Sequence, residues 1–583
     1  MTNTAIRPEH PRPQMKRGEN DWINLNGIWD FEFDFSRSGL DRKFYETGVY
    51  TKQITVPFCP ESILSGIGFT DFIPACWYRR TVDIPSHRLS GTVLLHFGAV
   101  DYFCAVYING KRAGSHKGGY SSFNFDITSY LTPGENTIVV YVEDDVRGGK
   151  QPRGKQCPDF NSRGCDYTRT TGIWQTVWLE FTPKQRIVSY KAVPDVNNCA
   201  VDITLKLAGD TNGMAVNASA SFNGSGMGSV EAIVNGNTAA LRLNLKESHI
   251  WDAGVPNLYD LSLELKNAGE AIDNVNGYFG LRSVYIKDGS IYLNNRPLFQ
   301  RLVLDQGFYP DGIYTAPTDE ALKRDIEISM ALGFNGARLH EKVFEERFLY
   351  HADRLGYLVW GEHANWGLDI TVPDGLHNFL PEWLEVMERD FNHPSIIGWC
   401  PFNETWDMDG RKQYDDTLRV VYLATKAADP TRPVIDTSGN FHVITDIYDM
   451  HDYDQNVESF EKKYKYLKKG EIHEMYPHRQ KHEEQPFFVS EYGGAWWSNE
   501  AKDKNASWGY GDRPTSVEEF LARYTGLTDA LLSSEGICAF CYTQLYDIEQ
   551  EENGLYTYDR KPKFPQDVYD AIRTVNTKKA AIE

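Results

Sequence analysis

Positive charge is in short supply in this 583-residue chain: 60 Lys and Arg stand against 81 Asp and Glu, for a net charge of −21. Binding nucleic acid or an anionic membrane surface needs basic patches, so neither is expected as a partner. Long apolar runs are also missing, and no stretch approaches the ~20 residues of a membrane-spanning helix. Residues 1–10 contain no apolar core and no small-residue cleavage site, so no secretory signal is expected there. The nine cysteines are odd in number and scattered singly, as at Cys538 and Cys541, which suits reduced thiols and a cytoplasmic location. Cys157 and Cys165 share one loop and could pair only in an exported protein. No Cys/His grouping has zinc-ligand spacing, so no metal ligands and no cofactor are expected. Internal repeats and low-complexity linkers are absent as well, which points to domains packed together rather than strung out.

Aromatic residues, by contrast, are plentiful at 13%, with 14 Trp and 33 Tyr. Aromatic faces line sugar-binding clefts because they stack on the C–H faces of pyranose rings, and they equally fill sandwich cores. The length allows roughly three or four domains of about 150 residues, or fewer if one is a barrel of about 250. Up to residue 182 the chain reads as short β-type runs broken by Gly, Pro, Asn and Asp. Asn109-Gly110 between two such runs is a strong hairpin signal. We expect a jelly-roll β-sandwich over residues 1–183. A second β region, alternating in Val201-Asp202-Ile203-Thr204-Leu205 and again in Leu261-Ser262-Leu263-Glu264-Leu265, reads as an immunoglobulin-like sandwich over 184–284. Over 285–583 the rhythm changes to strand, helix, strand. Eight apolar strand candidates (298–304, 335–339, 357–361, 396–402, 433–437, 445–451, 486–490 and 536–542) alternate with helical segments at 318–332, 344–356, 377–391, 412–428 and 515–532. That pattern predicts a (β/α)₈ TIM barrel.

Two of those strands end in acids. Gly398-Trp399-Cys400-Pro401-Phe402-Asn403-Glu404 and Phe487-Phe488-Val489-Ser490-Glu491 each deliver a carboxylate to a C-terminal tip, where barrels carry their functional side chains. A lone Glu at such a tip is more often a salt-bridge or rim residue. Two of them across one mouth are the equipment for acid/base and nucleophilic attack on a glycosidic bond.

These segments, with His393-Pro394-Ser395-Ile396-Ile397 upstream, resemble glycoside hydrolase family 2, the β-galactosidase, β-glucuronidase and β-mannosidase group. Trp77-Tyr78-Arg79-Arg80, Phe97-Gly98-Ala99-Val100-Asp101, Gly172-Ile173-Trp174-Gln175 and Gly280-Leu281-Arg282 extend the likeness through both sandwiches, in the family's domain order. The resemblance implies a retaining exo-glycosidase acting on a glycoside or oligosaccharide, and a homo-oligomer. Glu404 matches the acid/base and Glu491 the nucleophile, with Asn403 a donor to the sugar 2-hydroxyl. Glu404 is expected to hold the resting proton, since it must protonate the leaving oxygen while Glu491 must be ionised. Arg338 and His340 at the end of the second strand, with the Arg keeping the nucleophile ionised, and His451 and Tyr453 past the sixth complete the expected surroundings. His340 could instead merely cap its strand, and His451 and Tyr453 could pack a loop. Asp166 matches an acid that glucuronidases of the family send from the sandwich loop into the site. Trp366, beyond the third strand, is a candidate for stacking.

The first strand departs from the family. It runs Arg301-Leu302-Val303-Leu304-Asp305-Gln306, and Asp305 is the residue expected to accept bonds from two adjacent hydroxyls. The family's glucuronidases bind the sugar carboxylate with an Asn-x-Lys pair after the eighth strand, whereas here Asn553 is followed two positions on by Leu555. A neutral sugar therefore ranks first, β-D-galactoside ahead of β-glucuronide, β-galacturonide, galactofuranoside and arabinoside. A non-catalytic carbohydrate-binding protein is the alternative of another class, since fold alone does not establish activity. A phosphate-handling barrel would need a Gly-rich loop after the seventh or eighth strand, and none is present.

Overall fold

The structure is a computed structural model, and it describes residues 6–498 and 507–583. Residues 1–5, half of the opening segment on which the expectation about a secretory signal rests, lie outside the described residues. The first sandwich packs a four-stranded sheet, which includes Thr92–Phe97 and Val177–Thr182, on a six-stranded one built around Ala75–Ile84 and Gly134–Glu143. Between them lie Trp29, Phe31, Tyr78, Leu95, Val140 and Leu179, all fully buried or nearly so. The hairpin expected at Asn109-Gly110 joins Phe103–Ile108 to Lys111–Lys117. Both turn residues have positive φ, 51° and 76°, as a two-residue turn matched to the strand twist requires. The segment between Glu143 and Gly172 forms no long strand, and it leaves the sandwich to lie on the barrel.

The second sandwich has a three-stranded and a four-stranded sheet. Strict alternation buries Leu261, Leu263 and Leu265 while Asp260 is exposed and the residues between them are half-exposed. Gly280-Leu281-Arg282 then fastens it to the barrel: the Arg282 guanidinium donates to the carbonyls of Pro394 at 2.5 Å and Ile396 at 2.7 Å. His393, part of the same motif, bonds Asp353 through Nδ1 at 2.6 Å and is buried, so its place is structural.

The barrel strands are β1 (Gln300–Asp305), β2 (Gly336–Leu339), β3 (Leu358–Glu362), β4 (Ile396–Cys400), β5 (Thr437–Ser438), β6 (Tyr448–Asp452), β7 (Phe487–Tyr492) and β8 (Ile537–Tyr542). Their parallel order is β4-β3-β2-β1-β8-β7-β6, and β5 pairs with Phe402–Asn403, the continuation of β4 beyond Pro401. Helix α1 (Asp319–Ala331) begins where Thr318 accepts from the Ala321 N–H at 3.2 Å and stops before Gly333 at φ +84°, the expected start and stop. The helices at 346–355, 374–390, 415–428 and 517–532 also fall in expected segments, while Val457–Tyr464 and Gln566–Asn576 were not anticipated. Leu302, Leu304, Leu358, Trp360, Ile397 and Phe488 fill the barrel interior together with Val284, Ile291 and Leu293 of a small antiparallel sheet that precedes β1. No helix among the described residues is long and apolar enough to cross a membrane. All nine cysteines are free thiols, Cys157 and Cys165 included.

Candidate active site

Two local irregularities aim the acids. Glu404 has φ +48°, a left-handed conformation that costs a non-glycine residue about 1–3 kcal/mol and persists only where neighbours impose it. Its N–H donates to the Ser438 carbonyl of β5 at 2.9 Å, which holds the turn. On β7 the pairing with β6 slips: Met450 faces Val489, but His451 faces Glu491. The extra residue is Ser490, tied by its hydroxyl to Asp449 and to the Met450 carbonyl. A bulge of this kind re-aims the side chain beside it, here Glu491.

The two acids meet. One oxygen of Glu404, one of Glu491 and a ring nitrogen of His451 all lie within 4.8 Å of one another, the only group of possible metal ligands this tight among the described residues. The sequence offered no such ligand set, because its three members come from β6, β7 and the tip of β4. Arg338, buried completely, donates through Nη1 to Glu491 Oε1 at 3.1 Å and the Ser490 carbonyl at 2.9 Å. Through Nη2 it reaches Asn403 Oδ1 at 3.1 Å. Its Nε and Nη2 both bond Glu362 Oε2, at 3.2 and 2.9 Å. Tyr453 donates to the other oxygen of Glu491, Oε2, and its ring stacks on Tyr510 at 3.4 Å. His340 Nδ1 sits 2.9 Å from Glu362 and 3.9 Å from Glu491. Burial, with the charge of Lys155, presses the His340 pKa well below the usual value, so it stands as a neutral ring.

The proton is placed differently from the expectation. His451 Nδ1 is 2.7 Å from Glu404 Oε1, and its Nε2 is 3.3 Å from Glu491. Burial works against a charged His451, but the two carboxylates outweigh it and raise its pKa. Burial likewise pushes Glu404 up, and the hydrogen bond and charge of His451, with Lys155, more than offset it and hold the carboxyl at about 2. Both directions favour the imidazole between the acids over Glu404 as the holder of the resting proton. The sequence could not show this, because it depends on a ring delivered by β6.

Asn403 is anchored by its backbone, whose N–H donates to Asn365 Oδ1 at 2.6 Å and whose carbonyl accepts from Asn365 Nδ2 at 3.0 Å and Trp366 Nε1 at 3.3 Å. Its side-chain Nδ2 is buried with no protein partner, a donor left for a ligand oxygen. Trp366 stands half-buried beside it.

Two expected residues are not brought to the pair. Asp305 shares the parity of Val303, which faces the helices, while Leu302 and Leu304 face the interior. Its Oδ1 accepts from Gly307 N–H and Tyr546 O–H, and burial together with the Asp325 charge pushes its pKa up to about 6. Among the described residues it makes no hydrogen bond to the Glu404–Glu491 network. Alternation along β1 was the available signal. Gln306, the next residue, takes the inward place, bonding Tyr167 and Gln544 through Nε2 with Oε1 unpartnered. Asp166 is held in an ion pair with Arg153 at 2.7 Å. The sandwich loop instead sends Lys155, whose Nζ lies 3.6 Å from the Trp366 ring centroid. Sequence reasoning missed Lys155, and it missed Glu362 and Tyr510. Glu362 ends an apolar strand in the same manner as the two acids that were found.

Comparison with known proteins agrees with this geometry. Residues 23–183 match the description "Glycosyl hydrolases family 2, sugar binding domain", 185–282 "Glycosyl hydrolases family 2", and 284–566 "Glycosyl hydrolases family 2, TIM barrel domain". The chain is 30% identical over 363 residues to a putative beta-glucuronidase of Formosa agariphila, which covers 60% of this chain and 42% of that protein. It is 27% identical over 461 residues to a beta-galactosidase of Leuconostoc mesenteroides, 70% of this chain and again 42% of the relative. The match thus spans about two fifths of these longer relatives. In fold it is similar to the Ruminococcus gnavus beta-glucuronidase, with a TM-score of 0.81 at 19% identity, covering 98% of this chain and all of that one. With all three of its domains matched in sequence order, the chain belongs to glycosyl hydrolase family 2.

Proposed function

We propose that the protein hydrolyses a terminal β-glycoside with retention of configuration, through a covalent intermediate on Glu491. The observation that carries this reading is the closeness of the two acids, with oxygens within 4.8 Å. Retaining pairs stand ~5–5.5 Å apart, whereas inverting pairs stand ~6.5–9.5 Å apart to admit a water between them. Arg338 and Tyr453 bond opposite oxygens of Glu491, which fixes the carboxylate's orientation for attack. Glu404 must donate a proton at neutral pH, and its low pKa makes it a poor reservoir. His451, 2.7 Å away, passes its proton to Glu404, which hands it on to the leaving oxygen as the glycosidic bond breaks, so that one proton moves in relay and the imidazole is left neutral. Asn403 Nδ2 is placed to donate to the 2-hydroxyl, a contact that tightens in the transition state.

Two observations bear on the sugar and pull apart. Asn553 donates to Glu551 and accepts from Gln544, and the position two residues on is a buried leucine with no charge to offer, Leu555, which supports a neutral sugar such as β-D-galactoside. Lys155 at the mouth supports a uronide, because it answers the want of a counter-charge. The test of the shared chemistry is NMR of the first product from a panel of aryl β-glycosides. The β-anomer of the released sugar is expected before mutarotation. First appearance of the α-anomer, or no turnover on any substrate, would refute the reading.

A further inference from the structure

Lys155 is contributed by the first sandwich, on the segment that leaves it to cover the barrel, and its backbone is locked on both sides. The Arg153 N–H donates to the Trp366 carbonyl at 2.8 Å, and the Arg153 guanidinium clamps the Gly154 carbonyl at 3.0 Å and Asp166 at 2.7 Å. The Lys155 carbonyl accepts from the Tyr167 N–H at 2.7 Å. Gly154 has φ +58°, and a Cβ there would run into the backbone oxygen of Glu341 on the barrel rim. The chain can approach the rim this closely only with glycine in that place.

The side chain so delivered is 6% exposed. Its ammonium lies 3.6 Å from the centroid of the Trp366 ring, and Trp366 itself donates to the Asn403 carbonyl, one residue before Glu404. Among the described residues Nζ has no hydrogen bond and no carboxylate within ion-pair distance. An ammonium with three donors, a ring face against it and no hydrogen-bond partner among the described residues is poised for an acceptor from outside the protein. Burial opposes its charge, and the neighbouring Cys165, Glu404, Glu551 and Glu341 more than offset this, so it stays protonated. Arg338 is fully engaged with Glu362, Glu491, Ser490 and Asn403, and the Asn553 side chain is bonded at both ends. All five Arg338 N–H donors are taken, and Asn553 brings no positive charge to a substrate anion.

From this placement we infer that Lys155 is a specificity-determining residue, and that its ammonium takes the carboxylate of a uronic acid at the cleavage site. The inference rests on the hydrolase reading for its substrate, and it moves sugar recognition from the barrel, after β8, to the sandwich loop. A charge-assisted bond of this kind is lost outright when the ammonium is removed.

The test pairs substrates that differ only at C6: aryl β-galacturonide with β-galactoside, and aryl β-glucuronide with β-glucoside. The wild-type protein is expected to favour one uronide over its neutral partner. In Lys155→Met, kcat/KM on that uronide should fall about a hundredfold, at least about tenfold further than on the neutral partner, whose own change reads the effect of Lys155 on Glu404. Lys155→Arg should keep part of the preference and guards against a folding defect in the Met variant. Calorimetric titration of free D-galacturonate and D-glucuronate against D-galactose supplies a readout besides turnover. Uronate binding that disappears in Lys155→Met supports the inference even if no glycoside is hydrolysed, in which case the hydrolase reading alone fails. A wild-type preference for the neutral partner overturns the inference, as does equal loss on both partners in Lys155→Met, which would assign Lys155 to tuning Glu404. Absence of uronate binding to the wild type overturns it too.

Discussion

Replacing Arg338 with Met should do more damage than the loss of one surface ion pair, and the damage should depend on pH. The guanidinium is fully buried and compensates two carboxylates, Glu362 with a fully buried side chain and Glu491 at 5% exposure. Removing one partner of a buried charge network leaves the others uncompensated, at a cost of about 3–5 kcal/mol. Spread over a barrel of this size, that corresponds to a melting temperature lower by roughly 5–8 °C. The sign with pH follows from the carboxylates. Burial already raises the Glu362 pKa, and Arg338 is the largest influence holding it down. Without the guanidinium its folded-state pKa climbs further above the ~4.3 of an unfolded Glu, so protonated Glu362 is tolerated in the folded protein and ionised Glu362 is not. The deficit should therefore be large at pH 8 and shrink toward pH 5, by about 1.4 kcal/mol per pH unit for one group. Differential scanning calorimetry of both proteins at pH 5, 6, 7 and 8 measures it. A deficit under about 1 kcal/mol at pH 8, or one that does not change with pH, would refute the assignment of Arg338 as the counter-charge of these acids.

Glu491→Gly should be inactive on aryl glycosides and regain turnover with azide, which enters the space of the carboxylate; the expected product is the α-glycosyl azide, and rescue giving the β-azide would rule Glu491 out as nucleophile. His451 has a pKa raised above 6.5 by the two acids, so its proton is present below that value and lost as pH rises through the raised one. The pH profile of kcat/KM should accordingly fall on the alkaline side, and His451→Gln should lower the rate and abolish that limb. An identical profile in the variant would show that Glu404 is not loaded through His451.

Much of this was legible in the chain because apolar runs state their own period. Strands alternating with helices announced the barrel, and each of Glu404 and Glu491 stood out as a charge closing an apolar strand. Glu362 closes Leu358–Glu362 in the same way and went unread, because its partners Arg338 and His340 lie on another strand. Asp305 was misplaced for want of applying alternation to β1, where Leu302 and Leu304 face inward and leave Asp305 toward the helices. Asp166 belongs to the right loop, but its carboxylate is taken up by Arg153, and a cation reaches the rim in its stead.

Local pattern alone settled the order of domains, the eight strands and the two acids at their tips, because hydrophobic periodicity and turn chemistry act over a few residues at a time. Where the proton rests was decided only by tertiary structure. It depends on a ring from β6 placed between acids from β4 and β7 by a one-residue slip in register. The same holds for Lys155, which comes to the mouth across a domain boundary through a glycine that lets two backbones touch. Electrostatics falls off with distance in space and takes no account of distance along the chain, so neither result could be had from the order of residues.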